Sequence, residues 1–322
     1  MLRYLLSRFV QSLFVLMLMS FIIYSLIGLM PGDPIDLMIT ADPRITGEDA
    51  DRMRELYGLD KPILERYANW LNAALSGDFG FSRMHAKPVL VVMIPALANT
   101  LKLLGLSFVL ALLIALPAGI SAAARPYSRT DYTINMLAFA GISVPPFWLA
   151  LLLIIVFAVI LGALPAGGSA EASGAIGFWA EAKYLVLPVT SLTIASVGGH
   201  TRYMRASMIE TLRQDYIRTA RAKGLDERRV LLGHALRNAM IPVVTVIALD
   251  FGYLFSGALI TETIFAYPGM GKLIFDAIMG NDFNLALVAL LFATLLTLLA
   301  NFLADAAYVA LDPRVSFKEL EQ

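Results

Sequence analysis

Very few side chains in this sequence are arranged so that they could carry out chemistry. The segment Ala266–Lys272, which reads AYPGMGK, superficially resembles a phosphate-binding loop. It fails because its glycines have the wrong spacing and Leu273 stands where such a loop requires Ser or Thr. A turn is the better interpretation, and no other segment offers a loop of this kind. We therefore predict that the chain is not an enzyme and does not hydrolyse nucleotide itself.

The sequence also has few residues that could bind a metal, and none that could act as a thiol. The chain has no cysteine and only three histidines, His85, His200 and His234. Disulfides, thiolate catalysis and cysteine-based metal sites are thus excluded, and we predict no metal site. The 25 basic and 25 acidic residues give a net charge of zero. This balance removes the electrostatic argument for nucleic-acid binding.

The composition is that of a membrane protein. Hydrophobic residues make up 58% of the 322 residues and charged residues 16%, against about 45–50% and about 25% in soluble domains. A membrane helix needs about 20 apolar residues. Six apolar stretches meet or approach this length: Phe9–Met30, then those between Lys102 and Arg125, Asp131 and Glu171, and Lys183 and Arg202, then Asn238–Thr261, and finally that between Asp282 and Asp305. We therefore predict an all-α polytopic protein with six transmembrane helices.

Charge asymmetry orients these helices. The segment Arg202–Arg237 holds nine basic residues against four acidic ones, and further arginines lie near the N-terminus and after the second span. The positive-inside rule places these segments, and with them both termini, in the cytoplasm. The first apolar stretch is longer than the apolar region of a signal peptide, so we expect it to be a retained membrane anchor.

The segment between the first two spans is more than a simple loop. Thr46–Gly58 has the pattern of a capped helix, and a second helix is expected to begin at Asp60–Pro62. The second helix has an apolar face that includes Tyr67 and Trp70. Helices this short must cover their apolar faces, either on the outer mouth of the bundle or a partner, or in the lipid headgroup region.

The long basic segment on the cytoplasmic side contains a further short helix. Asp215–Lys223 has a helix-start residue and good helix formers, and Gly224 stands at the stop position. Asp226 could cap another short helix. Amphipathic contact with the membrane surface is one interpretation. The length of the insert exceeds that of ordinary helical connections and favours a docking element.

Some polar residues fall at membrane depth, where ionisable groups are often functional. Asp250 is central in its span, and either lines a pathway or pairs within the structure. Asn301 is a second pathway candidate, while Lys102 and Asp305 lie near span ends and could reach the interface. Pro145–Pro146 and Pro188 are expected to kink their helices.

Several motifs, in order along the whole chain, resemble those of one transporter family. DYIRTARAKGL, beginning at Asp215, followed by HALRN, beginning at His234, looks like the coupling loop of ABC importer permeases. Within these permeases, further motifs resemble those of the dipeptide/oligopeptide/nickel family and its B-type subunit. They are MPGDP from Met30, YGLDKP from Tyr57, GDFG from Gly77, SVPPF from Ser143, ETIFAYPGMG from Glu262, NFLAD from Asn301 and LDPR from Leu311.

This resemblance implies the type I permease fold of ABC importers in a bacterial inner membrane. The implied organisation is a cytoplasmic tip and first helix (1–30), a helical extracytoplasmic insertion (31–95), a five-helix core with the coupling loop at 202–240 (96–311) and a cytoplasmic tail (312–322). It also implies a second permease subunit, two ATP-binding subunits and an extracytoplasmic solute-binding protein. ATP and Mg²⁺ would bind to the ATPase subunits, and this chain would bind no cofactor.

The same resemblance implies which residues contact the ATPase. They are Asp215, Tyr216, Arg218, Thr219, Ala220, Arg221, Ala222, Lys223, Gly224 and Leu225. The general loop pattern begins Glu-Ala-Ala, whereas Arg218, Thr219 and Ala220 stand at those positions here. Because the glutamate is absent, Arg218 is expected to meet acidic or polar groups of the ATPase instead.

Two functions remain open at this stage. The first is the permease of an ATP-driven importer, with peptides as the leading substrate and nickel, glutathione-like compounds or oligosaccharides as alternatives. The second is a stand-alone secondary transporter or channel. A secondary transporter often has inverted repeats and more intramembrane ionisable groups, neither of which is clear in this sequence. The long basic insert also favours the importer.

Overall fold

The computed structural model describes residues 2–29, 48, 49, 52, 55 and 61–311. In chain order the elements are α1 (Leu2–Gly28), α2 (Ile63–Leu75), β1 (Phe81–Ser82), β2 (Lys87–Pro88), α3 (Val89–Ala124), α4 (Arg129–Ser143), α5 (Pro146–Leu153), a π-helical turn (Ile154–Ile160), α6 (Phe178–Leu212), α7 (Asp215–Ala222), α8 (Glu227–Arg229), a second π-helical turn (Val230–Ala235), α9 (Leu236–Ile264), α10 (Met270–Met279) and α11 (Phe283–Leu311). The two short strands form an antiparallel hairpin.

Several of these helices can cross a membrane. Among the described residues, four helical stretches are long and apolar enough: Leu6–Gly28, Val89–Ala124, Glu227–Ile247 and Phe283–Leu303. A fifth span arises if α4 and the α5 segment through Ile160 are taken together, because they form one apolar pair bent by 97°. The predicted all-helical membrane architecture is confirmed.

Helix α6 contains the remaining predicted span and differs from the others in composition. It has 35 residues, so it is long enough at about 1.5 Å per residue, but it falls short of the same standard of apolarity. The reason is that several of its polar groups face other helices. Ser191, Thr193, His200 and Thr201 are all buried. Average hydropathy therefore underestimates the ability of a helix to span the membrane when its polar groups lie inside the bundle.

The bend between α4 and α5 lies at the predicted kink. Helix α4 ends at Ser143, Val144 is extended, and Pro146 occupies the first turn of α5. A residue that precedes proline is pushed out of the helical region, so Pro145 and Pro146 together force the chain to restart. Pro188 instead lies inside α6, which continues on both sides of it.

The second predicted helix of the insertion packs on the bundle. Tyr67 of α2 lies 2.6 Å from Ser20 of α1 through its hydroxyl, and its ring contacts Phe21 and Tyr24. Trp70 contacts Tyr24 as well. This face of α2 is covered by protein, whereas Ile63, Leu64 and Leu75 stay exposed. The helix predicted at Thr46–Gly58 lies outside the described residues except at positions 48, 49, 52 and 55.

An ion pair joins the first and the last helix of the membrane core. Arg8, near the start of α1, lies 3.3 Å from Asp305, near the end of α11. Helices α1 and α11 pack side by side with their N-terminal and C-terminal ends together. Asp305 is one of the residues expected to reach the interface, and the structure gives its carboxylate a basic partner.

Glycines allow three helices to approach very closely. A Cβ atom at Gly119 of α3 would lie 2.7 Å from the Met204 side chain and 2.8 Å from the Thr201 carbonyl oxygen of α6. A Cβ at Gly198 of α6 would collide with the Ala138 carbonyl of α4. Small residues at such crossings are typical of membrane helices, whose association depends on close packing. Helix α6 is therefore held between α3 and α4 by backbone-level contact.

We predict that Gly198→Ala destabilises the protein in detergent by about 1–3 kcal/mol, the usual cost of overpacking a tight contact. Gly199→Ala is the matched control, because a Cβ there meets nothing within 4 Å and alanine is the better helix former. Thermal unfolding of the purified variants measures both effects. Equal melting temperatures for the two variants would contradict this account of the α4–α6 contact.

Candidate functional site

Helix α7 forms the exposed end of the long basic segment. It is separated from α6 only by Arg213 and Gln214 and covers Asp215–Ala222, in agreement with the helix predicted at Asp215–Lys223. Two of its side chains, Ile217 and Ala220, are buried. They pack in a cluster that includes Met204 and Met208 of α6. Burial of an isoleucine alone contributes about 1.5–3 kcal/mol, so α7 is seated firmly on α6.

A glycine ends α7 in the predicted place. Gly224 has a φ of +77°, which non-glycine residues adopt only at a cost. Its N–H donates to the Arg221 carbonyl at 2.9 Å, and the Leu225 N–H donates to the Ala220 carbonyl at 3.4 Å. These two bonds form a Schellman motif. Leu225 packs on the same apolar cluster as Ala220, as the motif requires, so the chain leaves α7 in a fixed direction.

Two polar contacts fix α7 to the elements that follow it. Arg221 pairs with Glu227 of α8 at 2.6 Å, and hydrogen bonding to this carboxylate raises the pKa of Arg221. Asn238 of α9 donates to the Tyr216 hydroxyl at 3.0 Å. Because α8, the π-helical turn and α9 follow one another without a break, α7 is connected to α6 on one side and to α9 on the other.

The opposite face of α7 is open to solvent. Arg218 and Asp215 pair at 3.2 Å, yet their side chains are 74% and 94% exposed. An exposed ion pair of this kind contributes at most about 1 kcal/mol. Thr219, Ala222 and Lys223 are exposed as well. This face thus offers charged and hydroxyl groups that a partner could engage at little cost.

The structure separates the ten residues predicted at the coupling loop into two sets. Ile217, which the prediction omitted, is buried with Ala220 and anchors the helix, while Leu225 is half-buried. Tyr216 and Arg221 face neighbouring parts of the chain. The exposed set is Asp215, Tyr216, Arg218, Thr219, Arg221, Ala222, Lys223 and Gly224, of which Tyr216 and Arg221 also bond to α9 and α8. Contact of the exposed set with a partner stays a prediction.

The two candidate pathway residues lie on neighbouring helices. Asp250 belongs to α9 and Asn301 to α11, and these helices pack on each other. Asn301 is exposed. The side chain of Asp250 lies outside the part of the molecule that the structure describes, so whether the two groups meet stays a prediction.

Lys102, expected near the end of its span, and Asn99 one turn before it have partners at one end of the bundle. Lys102 of α3 forms an ion pair with Glu181 of α6. Asn99 donates to the Pro268 carbonyl at 3.0 Å. These contacts connect α3 to α6 and to the turn after α9. The turn predicted at Ala266–Lys272 is present only in the first part of that segment: Ala266 has a φ of +47°, and Met270–Lys272 already belong to α10.

Sequence reasoning gave no role to a buried carboxylate at the end of α9, just before this turn. Glu262 is fully buried, and its carboxylate accepts hydrogen bonds from the Thr100 hydroxyl at 2.5 Å and the Gly271 N–H at 2.7 Å. The Lys272 N–H donates to it at 3.1 Å. These amides belong to the first turn of α10, where a negative charge is favoured. Glu262 therefore joins α3, α9 and α10.

A second unpredicted contact joins α4 and α6. Arg205 donates to both oxygens of Asp131, each at 2.6 Å. In the sequence, Asp131 marks only the boundary of a span, and Arg205 is only one of nine basic residues. Ser128 followed by Asp131 is a helix-start pattern that could have placed the carboxylate in the first turn of α4. A partner 74 residues away has no such signal.

Comparison with known protein families gives matches over nearly the whole chain. Residues 115–317 match the family described as binding-protein-dependent transport system inner membrane component. Residues 1–103 match its companion N-terminal family. Together these matches cover both the membrane core and the segment that precedes it.

Individual relatives align from end to end. The chain is 38% identical to the oligopeptide transport system permease protein AppB of Bacillus subtilis, over 98% of this chain and 99% of that protein. It is 35% identical to the glutathione transport system permease protein GsiC of Escherichia coli, over 99% and 100%. A putative peptide permease of Brucella ovis is 38% identical over 98% and 99%.

Solved structures share the fold. An inward-facing structure of the MetNI methionine ABC transporter matches with a TM-score of 0.56 and 17% identity, covering 69% of this chain and 97% of that chain. An amino acid ABC transporter structure matches with a TM-score of 0.51 and 14% identity, covering 67% and 92%. The predicted type I permease fold is therefore shown by the geometry of these neighbours as well as by sequence.

The end of α7 yields a prediction about local order. Gly224→Ala should destabilise the Schellman motif by about 1–2 kcal/mol, because alanine is strained at positive φ. Gly224→Asn should cost less, since asparagine tolerates this conformation. Hydrogen exchange at the Leu225 amide reports the opening of the motif. Equal protection in the alanine and asparagine variants would show that the backbone conformation of Gly224 is not what closes the helix.

Proposed function

The chain belongs to the family of binding-protein-dependent transport system inner membrane components, and from this premise we propose how it works as the permease subunit of an ATP-driven importer. The observation that carries the proposal is α7. This short helix is anchored by a buried face to α6 and by polar contacts to α8 and α9, and it presents an exposed charged face. An element built this way can receive a force and pass it on.

The names of the relatives point to di- and oligopeptides as the substrates. AppB is named as part of an oligopeptide system and the Brucella protein as a peptide permease. GsiC is named for glutathione, which is itself a short peptide. End-to-end similarity to all three supports a peptide-importing permease, with glutathione-like compounds within the same chemical class.

The remaining subunits follow from the importer architecture. We infer that a second permease subunit completes the pathway, that two ATP-binding subunits dock below, and that a solute-binding protein delivers substrate outside. ATP and Mg²⁺ would act on the ATP-binding subunits, and this chain would be non-catalytic. The exposed face of α7, with Arg218 and Lys223, would meet acidic or polar groups of one ATP-binding subunit.

Coupling would proceed through rigid elements. When the ATP-binding subunits close, α7 would move with the surface on which it rests. Packed helices shift between discrete arrangements and do not deform gradually, so movement of α7 would be passed to α6 through Ile217 and to α9 through Tyr216. Asp250 of α9 and Asn301 of α11 are the residues that we propose along the pathway that this movement opens and closes.

The orientation in the membrane follows from the same proposal. If α7 meets the ATP-binding subunits, the basic segment Arg202–Arg237 is cytoplasmic. The Arg8–Asp305 pair brings the start of α1 and the end of α11 together, which supports a common side for the two termini. We therefore propose a multi-pass protein of the bacterial inner membrane with both termini in the cytoplasm and α2 outside.

Charge reversal at the exposed face of α7 tests the docking role. Arg218→Glu should lower ATP-dependent peptide uptake about tenfold, the effect of losing roughly 1.4 kcal/mol of favourable contact. Membrane insertion should be normal, because the Arg218 side chain is 74% exposed. Arg125→Glu, at the exposed end of α3, is the control with the same charge change. Uptake by Arg218→Glu that matches the control would argue against contact at this residue.

Composition of the complex is tested by mild-detergent affinity purification from the native host, followed by mass spectrometry. We expect to recover two P-loop ATPases and a second six-span permease. A chain that purifies alone, yet moves peptide into ATP-free liposomes, would overturn the importer in favour of a secondary transporter.

A further inference from the structure

The contact between Asp131 and Arg205 is a buried bidentate ion pair between two helices. Both hydrogen bonds measure 2.6 Å and use the two oxygens of one carboxylate, with Nε and one terminal nitrogen of one guanidinium. The Asp131 side chain is 3% exposed and that of Arg205 24%. Bidentate pairs of this kind fix direction as well as distance, so α4 and α6 are constrained against both sliding and rotation at this point.

The surroundings of Asp131 hold the carboxylate in place. The Tyr127 N–H donates to it at 2.8 Å and the Asn135 amide at 2.6 Å. The Asp131 N–H in turn donates to the Ser128 hydroxyl, which caps α4, at 3.3 Å. With every oxygen engaged, the acid cannot swing away with Arg205. Any displacement of Arg205 must therefore move the first turn of α4.

Two more contacts lie on the same faces of the two helices. The Arg202 guanidinium lies 4.7 Å from the centre of the Phe139 ring. Further along, Gly198 fits against the Ala138 backbone. Spacings of three and four residues place Gly198, Arg202 and Arg205 on one face of α6. The ion pair is thus the cytoplasmic end of a continuous α4–α6 contact.

Neighbouring residues of α6 contact α7 instead. Met204 and Met208 are fully buried and pack in the cluster that holds Ile217 of α7. Arg205 lies between them in sequence and faces α4. One short stretch of α6 therefore contacts the exposed docking helix on one side and the bent α4–α5 pair on the other. Helix α3 takes part as well, since its Ala123 packs in the same cluster and α3 also contacts α4.

We propose that the Asp131–Arg205 ion pair is the positioning element that delivers movement of α7 to α4 and, through the bend at Pro145, to α5. This inference rests on the coupling function proposed for α7. It assigns the pair a role in energy coupling beyond holding the fold together. Without the pair, α6 would still follow α7, and α4 would be held to α6 by the packing at Gly198 and the Arg202–Phe139 contact, which fix its direction less strictly than a bidentate ion pair.

The test is a variant that removes both charges together, Asp131→Asn/Arg205→Met. Removing one partner would leave a buried charge alone, whereas neutral replacement of both often preserves stability. The amide oxygen of the introduced asparagine can still accept the Tyr127 N–H. We expect the variant complex in proteoliposomes to keep binding-protein-stimulated ATP hydrolysis while the ATP used per peptide imported rises at least about tenfold, the loss of one well-formed contact. Arg205→Lys keeps the charge but loses the bidentate geometry. Its ATP use per peptide should therefore lie between those of the wild type and the double variant.

The matched control is Arg8→Gln/Asp305→Asn, which neutralises another interhelical ion pair that does not involve α6 or α7. Its ATP consumption per peptide should stay at the wild-type value. Normal coupling in Asp131→Asn/Arg205→Met would overturn the inference while leaving the importer intact. Absence of ATP-dependent peptide uptake by the wild-type complex would instead overturn the proposed function, and this inference with it.

A distance measurement decides the matter even if the double variant does not fold. Because the chain has no cysteine, spin labels at Met136→Cys on α4 and Arg213→Cys at the end of α6 report the separation of the two helices. In the wild-type complex, ATP trapping should leave this distance unchanged, and in Arg205→Lys the distribution should broaden. A wild-type change of more than about 2 Å, an ordinary helix shift, would show that α4 and α6 do not move as one.

Discussion

The structure depends above all on how tightly α6 is held between α3 and α4. A bilayer offers little hydrophobic driving force for helix association, so close packing and polar contacts must supply it. Here the glycines Gly119 and Gly198 bring backbones together, and the Asp131–Arg205 pair fixes the register. This constraint explains why α6 can carry buried polar groups and still lie inside the bundle: Thr193 and Arg205, for example, bond to α3 and α4 there, away from lipid.

The tight packing of α6 also matters for α7, which rests on it. A docking helix can transmit force only if it is firmly attached to the helices that it moves. The buried face around Ile217, the Schellman motif at Gly224 and the Arg221–Glu227 pair satisfy that condition. The exposed Asp215–Arg218 pair does not contribute to it. The attachment of α7 and its proposed docking would therefore use different faces of one short helix.

The sequence was sufficient for features that depend on local pattern. Helix α7 begins at the predicted residue, Gly224 has the predicted stop conformation, α2 follows Pro62 directly, and the kink lies at Pro145–Pro146. Each of these follows from the conformational limits of proline or glycine, or from helix capping, all of which act over a few residues. Apolar stretches likewise indicated the spans, because the bilayer sets their length.

What the sequence could not provide is the pairing of distant residues. Glu262 appears only as the first letter of a motif, and its binding of Thr100 and the α10 amides depends on how α3 crosses α9. Arg205 could not be distinguished from the basic residues around it, although it alone among them lies against a buried carboxylate within the described part of the chain. The hydropathy of α6 was ambiguous for the same reason, since it averages over faces that meet different surroundings.

The two buried carboxylates, Glu262 and Asp131, lie at opposite ends of the bundle. Glu262 joins α3, α9 and α10 at the end of α9, whereas Asp131 joins α4 to α6 at the opposite end, next to α7. Helix α3 packs along α6, and this long interface is fixed at one end by the Lys102–Glu181 ion pair and near the other by close packing at Gly119. Rearrangement is easiest where apolar surfaces meet without directional bonds. We therefore expect the ends of the bundle to move as rigid pieces, and α9 and α11, which carry the proposed pathway residues Asp250 and Asn301, to change their relation between those ends.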